Sequence, residues 1–318
     1  MTQGNFIKRR ENDWKELERI IRRRGKLLKQ RAFWFPRAFR LVTGDLNTAR
    51  SHGFDPALIE RLNRLVIEGN QLLYERAPFS WKGLGNFIFR SFPRAARAHW
   101  RSFGACSLIF FGLAVFTALG CLRFPGFVYE LLPPQAVMNL EEMYNPQGEY
   151  YLSPRNVSTD ADMFGYYIYN NISIAFQSFA GGVLAGIGSL FILAFNGIFI
   201  GAAAGHIIHA GFQDTFFPFI IGHGGFELTA LIFAAQGGFI LGYRLFITRG
   251  LSRGESLREA GKTALPIITG SALMLVIAAA IEAFWSSRHE IPKIFRYGTG
   301  AGIIFLLTLY FVFSGRKT

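Results

Sequence analysis

The chain has 318 residues, 51% of them hydrophobic and only 17% charged, with 34 phenylalanines and a formal net charge of +13. A soluble protein carries about 25% charged residues, and here the apolar residues lie in long blocks. This excludes an ordinary soluble globule and points to several transmembrane helices.

The charge is unevenly placed: 22 basic against 9 acidic residues fall within 1–102. That basic stretch stands directly before the first apolar block, where attraction to anionic lipid and control of topology explain it. No recognisable nucleic-acid motif accompanies it, and no nucleic-acid partner is expected. Met1 to Arg24 is charged and lacks the apolar core of a signal peptide, so insertion by the chain's own spans is expected.

Over 5–31, Trp14, Leu17, Ile20, Ile21, Leu27 and Leu28 recur at helical spacing among Arg and Lys, which predicts an amphipathic helix. A second helix is expected over 33–51. A third opens at Asp55-Pro56, with Asp as cap and Pro in the first turn, and runs to about Tyr74. Together, 1–78 form a cytoplasmic basic helical arm. Residues 79–101 interleave Phe79, Trp81, Phe87, Phe89, Phe92 and Trp100 with Lys82, Arg90, Arg94, Arg97 and Arg101. Rings at the headgroup boundary and cations at the phosphates predict an interfacial elbow helix that turns near Pro93. A soluble helix of the arm is the alternative.

The bundle is expected over 102–318, with a first span near 103–122. Cys106 and Cys121 both lie in it, too far apart to bridge each other. A proline-rich, acidic outer loop follows over 124–170. The apolar stretch 171–212 is about twice the length of one span and is divided near Asn196-Gly197. Further spans are expected near 218–243, 264–285 and 298–314, with a basic loop between the first two of these. Six spans put the arm, the basic loop and the C-terminal tail on one side and the acidic loop on the other, as the positive-inside rule requires. The fold class is therefore all-α: a polytopic inner-membrane bundle with both termini cytoplasmic.

Gly197, Gly201 and Gly205 are spaced by four, as are Gly182 and Gly186, and Gly298 and Gly302. Such strips let helix backbones approach closely, within the bundle or between copies in a homo-oligomer. The polar residues of the spans are His206, His209, His223, Glu227 and Glu282. Ionisable groups in hydrocarbon are expensive and mark packed networks or functional sites. His223 and Glu227 share a helix face, as do His206 and His209, and topology puts all five in the outer half of the membrane. Three readings stand: a hydrogen-bonded clasp, a proton- or ion-sensitive site, and a metal site with His206, His223 and Glu227 as candidate ligands. His223-Gly-Gly-Phe-Glu227 is not the zincin pattern, and no catalytic, phosphate-loop or dinucleotide signature appears. Neither a cofactor nor an enzymatic activity is expected.

The run from Phe219 through Gly238, with its His-Gly pair, Glu227 and Gly-terminated apolar helix, resembles the stage II sporulation protein M family, also called the DUF95 integral membrane family. Phe195-Asn196-Gly197 resembles the family's preceding span, and Ile281-Glu282-Ala283-Phe284 its penultimate segment. The arm is similar too, through Phe6 to Leu17, Phe39-Arg40, Asp45-Leu46 and Ala49-Arg50. The resemblance implies a membrane scaffold that works with peptidoglycan-degrading envelope hydrolases. It also implies a possible MoxR-type ATPase partner, since such ATPases are often encoded beside family members. The long basic arm and acidic loop depart from the sporulation member. A transporter, channel or ABC-2-like permease subunit is the alternative function. Membrane lipids are expected partners in either case.

Overall fold

The computed structural model describes residues 2–22, 34–74, 80–152 and 157–316. The chain divides into two compact units, Met1–Ser80 and Trp81–Thr318. Among the described residues every regular element is helical.

The first unit holds α1 (Gln3–Arg22), α2 (Trp34–Ser51) and α3 (Pro56–Tyr74). Leu27 and Leu28, expected to extend the first helix, lie outside the described residues, as does Phe79 of the elbow. The apolar stripes of the three helices meet in one core around Trp14, Leu17, Ile20, Phe35, Val42 and Leu62. Charge is built into that core. The Trp14 indole N–H donates to Asp45 at 2.8 Å, and Arg10 pairs with Asp45 at 3.0 Å. Arg61 bridges Glu18 at 2.9 Å and Glu11 at 3.0 Å, with its guanidinium 5.7 Å from the Trp14 ring. These hydrogen bonds hold the Glu11 carboxyl below its usual pKa, with Arg61 the largest cause. Asp55 caps α3 as expected, accepting from the Ala57 amide at 2.7 Å.

The second unit starts with α4 (Trp81–Asn86), a π-helical turn (Phe87–Ser91) and α5 (Phe92–Ala98). His99 leaves the helical region and redirects the chain into α6 (Trp100–Arg123). This junction is anchored from two sides. The fully buried Gln236 amide donates to the His99 carbonyl at 2.8 Å and to that of Ala96 at 3.3 Å. A π-turn leaves carbonyls without their usual i+4 partners, and here Tyr310 and Ser314 donate to Ile88 at 2.5 Å and Phe89 at 2.7 Å.

The expected loop 124–170 is largely helical. Helices α7 (Val128–Leu131), α8 (Pro134–Tyr144) and α9 (Glu149–Leu152) fold onto one end of the bundle, and α10 begins at Val157 and runs to Ala180. The expected division at Asn196-Gly197 is corrected: α11 (Ile187–His209) passes through it unbroken. Asn196 donates to the Ile192 carbonyl of its own helix at 2.8 Å, so it does not compete for a turn. The chain turns instead at 181–186, where Ala185 and Gly186 have positive φ of 58° and 84°. Gly182 and Gly186 therefore belong to a turn rather than to a helix strip, and that turn seats its backbone on Gly238 and Gly242.

The remaining elements are α12 (Gln213–Phe246), α13 (Arg253–Ile281), a π-helical extension (Glu282–Ser286) and α14 (Lys293–Phe313). Among the described residues, five helices are long and apolar enough to cross a membrane: α6, α11, α12, α13 with its extension, and α14. The 24-residue α10, which carries Asp160 and Asp162, is more polar yet runs the length of the bundle. Asp160 meets Arg288 at one end at 2.6 Å, and the Ser178 carbonyl meets Ser189 at the other at 2.6 Å.

Helices α6 and α11 run parallel. Cβ atoms built on Gly197 and Gly205 would come within 2.7 Å of the Phe110 carbonyl oxygen and 2.5 Å of that of Ala118. Gly201 packs as closely on Ala114 and Thr117. By contrast, Cβ atoms at Gly298 and Gly302 would meet nothing within 4 Å; Gly300, between them, is the residue that seats on Ile221.

Candidate functional site

Of the five expected intramembrane polar residues, the structure brings three together. His223 lies ten residues into α12, and Glu227 follows one turn later on the same face. Glu282 opens the π-helical segment that packs against them, and Ser286 closes it. His223 Nδ1 and Ser286 Oγ are 3.1 Å apart. On its other edge, His223 Nε2 is 3.6 Å from Glu227 Oε2 and 4.0 Å from Glu282 Oε1. The His223 and Glu282 side chains are 5% and 11% exposed, and Glu227 is 28% exposed.

Glycines make this approach possible. A Cβ at Gly222 would stand 2.8 Å from the Trp285 ring and 2.9 Å from Ser286 Oγ, so any larger residue would push the π segment away from His223. Gly225 faces Ile303 and Ile304 of α14, with closest approaches of 3.4 and 3.2 Å. The Phe219 ring stands edge-on to His223 at 5.3 Å. The local run Phe219 to Glu227 thus supplies a wall, two close crossings and two of the polar groups.

The other two histidines stand apart from this group. His206 is buried on α11, and its Nε2 is 2.7 Å from Glu141 Oε1 on α8. His209, one turn on, is exposed. The expected sharing of one helix face by His206 and His209 does not make them one site, because only His206 turns toward the helices capping that end. Two participants were not anticipated. Glu141 lies 65 residues from its histidine and Ser286 lies 63 residues from His223. Ser286 had one available signal: it follows Glu282 by four residues, as Glu227 follows His223.

Three cavities open along the bundle, of about 830, 600 and 440 Å³. The first is bordered by His99, Arg244 and Arg249, the second by Arg97 and Arg316, and the third by α13, α14 and Ile88, Phe89 and Phe92. None of these three is lined by His223, Glu227 or Glu282.

Comparison with known proteins adds two family matches. The model of the stage II sporulation protein M family matches residues 105–287, and a domain of unknown function, DUF8413, matches residues 4–75. An uncharacterized protein of Methanocaldococcus jannaschii is 29% identical over 130 residues, covering 40% of this chain and 70% of that protein. No solved structure matches.

Proposed function

From the chain's membership of the stage II sporulation protein M family, we propose that this integral membrane protein is a non-enzymatic scaffold. It joins a cytoplasmic partner to envelope or peptidoglycan-remodelling machinery. The observation that carries this reading is a division of labour: a three-helix unit with its own apolar core and ion pairs, matched by its own family model, and a bundle held together by backbone-to-backbone crossings. An anchor needs a rigid membrane body and a distinct docking unit, and these parts suit that use.

In the full reading α10 is a sixth span. Its length suffices, and its acidic groups sit at one end, where Arg288 neutralises Asp160. Both termini then face the cytoplasm of an inner membrane, and the helices of 128–152 form an outer cap. The elbow lies in the inner interface, where exposed Trp81, Phe89 and Trp100 meet the lipid boundary and Arg90, Arg94 and Arg101 meet anionic headgroups. A homo-oligomer would use the glycine face of α14 at Gly298 and Gly302, which the bundle leaves open.

The test is photo-crosslinking in native membranes from an exposed arm position such as Ile67, followed by purification of the full chain and identification of the adducts. A scaffold gives a specific cytoplasmic ATPase or an envelope-associated protein. Failure to recover either across the exposed face of the arm removes the basis for this function.

A further inference from the structure

Three readings of the buried histidine and glutamates were open from sequence: clasp, ion-sensitive site and metal site. Their geometry separates the first from the last. A clasp holds nitrogen and oxygen at about 2.7–3.2 Å, and that is what His206 and Glu141 do at 2.7 Å. His223 Nε2 stands 3.6 Å from Glu227 and 4.0 Å from Glu282, too far for either hydrogen bond. One donor atom from each of the three residues lies within 4.8 Å of the other two. Donors sharing a tetrahedral ion with bonds of about 2.0–2.2 Å stand about 3.3–3.6 Å apart. Binding an ion would draw the two flexible glutamate ends inward by about 1 Å at most.

The surroundings fit the same use. Ser286 engages Nδ1 at 3.1 Å, which fixes the imidazole and turns Nε2 toward the two carboxylates. Metal-binding histidines are held through their second nitrogen in this way. An imidazole and two carboxylates form a donor set that suits a divalent cation. One nitrogen and two carboxylate oxygens suit zinc, manganese or iron(II) better than soft copper(I). Three protein ligands also leave a position open for water.

We propose that His223, Glu227 and Glu282 bind one divalent transition-metal ion, with Ser286 as the residue that positions His223. The site would clamp α12 to the π-helical end of α13 at the point where Gly222 brings them together. The proposal goes beyond the scaffold function and does not depend on it.

The test uses the purified full chain in detergent, stripped with a chelator and titrated with zinc alone. Affinity is read by competition with a chromophoric chelator, and stoichiometry by metal content after gel filtration. The expected result is one ion per chain in wild type and in His209→Ala. Glu282→Gln should lose binding by well over tenfold. Ser286→Ala should keep the stoichiometry and weaken affinity about 10- to 100-fold. Zinc should raise the melting temperature of wild type and not of Glu282→Gln. Absence of zinc binding in wild type, or equal binding in Glu282→Gln, overturns the proposal; the former outcome means protonated glutamates, the latter zinc held elsewhere. If Glu282→Gln does not fold, Ser286→Ala and cobalt substitution decide. Unchanged zinc affinity, together with a cobalt spectrum like that of the hydrated ion, overturns it equally.

Discussion

Gly205 and Gly302 are equivalent by spacing, each the last member of a four-residue strip, yet the structure treats them oppositely. A Cβ on Gly205 would lie 2.5 Å from the Ala118 carbonyl oxygen and 2.8 Å from its Cα, whereas one on Gly302 meets nothing within 4 Å. Carbon and carbonyl oxygen settle at about 3.3 Å or more, so Gly205→Ala must part α6 from α11 by about 0.8 Å locally. A gap of that size forfeits about a quarter to a half of each dispersion contact it opens. Because the obstacle is backbone, no side-chain rotation relieves it, and the cost belongs in the upper half of the about 1–3 kcal/mol range for overpacking. Both substitutions gain the same helix-propensity benefit of about 1 kcal/mol, so their difference isolates the clash. The two variants should differ by about 2–3 kcal/mol, with Gly302→Ala at or above wild-type stability. Unfolding of the full chain in mixed micelles of mild detergent and dodecyl sulfate measures this. Equal stability of the two variants, within about 0.5 kcal/mol, would refute the parallel α6–α11 packing on which this rests.

Three further outcomes follow from the polar contacts. Arg61→Ala should cost the arm about 1–2 kcal/mol, since its pairs with Glu11 and Glu18 are partly exposed and screened while its stacking on Trp14 is lost as well. Because the Glu11 pKa is lowered on folding from 4.5, its contribution is present above pH 4.5 and is lost as pH falls through the lowered value; Arg61→Ala should flatten that acid limb, read by tryptophan fluorescence of the full chain. Gln236→Leu should cost about 0.5–1.5 kcal/mol for each of its two lost hydrogen bonds, since the Ala96 and His99 carbonyls keep the backbone donors of His99 and Phe103, and should open the 98–100 junction to limited proteolysis. Arg288→Ala leaves the Asp160 carboxylate, 1% exposed, without this ion pair; the loss should fall near the lower end of about 3–5 kcal/mol, with Asp160→Asn milder, both read by thermal melting.

Much of the architecture was legible in the sequence because it rests on local signals. Long uncharged runs mark the apolar helices, the asymmetry of Arg and Lys suggests orientation, and Asp55-Pro56 marks a helix start that the capping bond bears out. The misplaced division of 171–212 shows where local signals end. Asn196-Gly197 looks like a breaker, but the asparagine bonds back to its own helix and the glycine serves packing on Phe110. The real turn uses Gly181, Gly182 and Gly186, and the four-residue spacing of the last two imitates a helix strip. Likewise, spacing alone could not say that Gly300, rather than Gly298 or Gly302, faces the bundle. In the site, the pairing of His223 with Glu227 follows from one helical turn. The roles of Ser286 and Glu141 depend on contacts across more than sixty residues, which no periodicity encodes.

The bundle's use as a closed anchor is tested most directly by solute movement. Purified full chain and His223→Ala would be reconstituted into sealed liposomes, and entry of protons, sodium, potassium and zinc followed with entrapped indicators. A scaffold predicts traces from both proteins that match empty liposomes for every ion, even if zinc binds tightly at His223, Glu227 and Glu282. A flux carried by the wild type and abolished by His223→Ala would contradict it and make the chain a conduit.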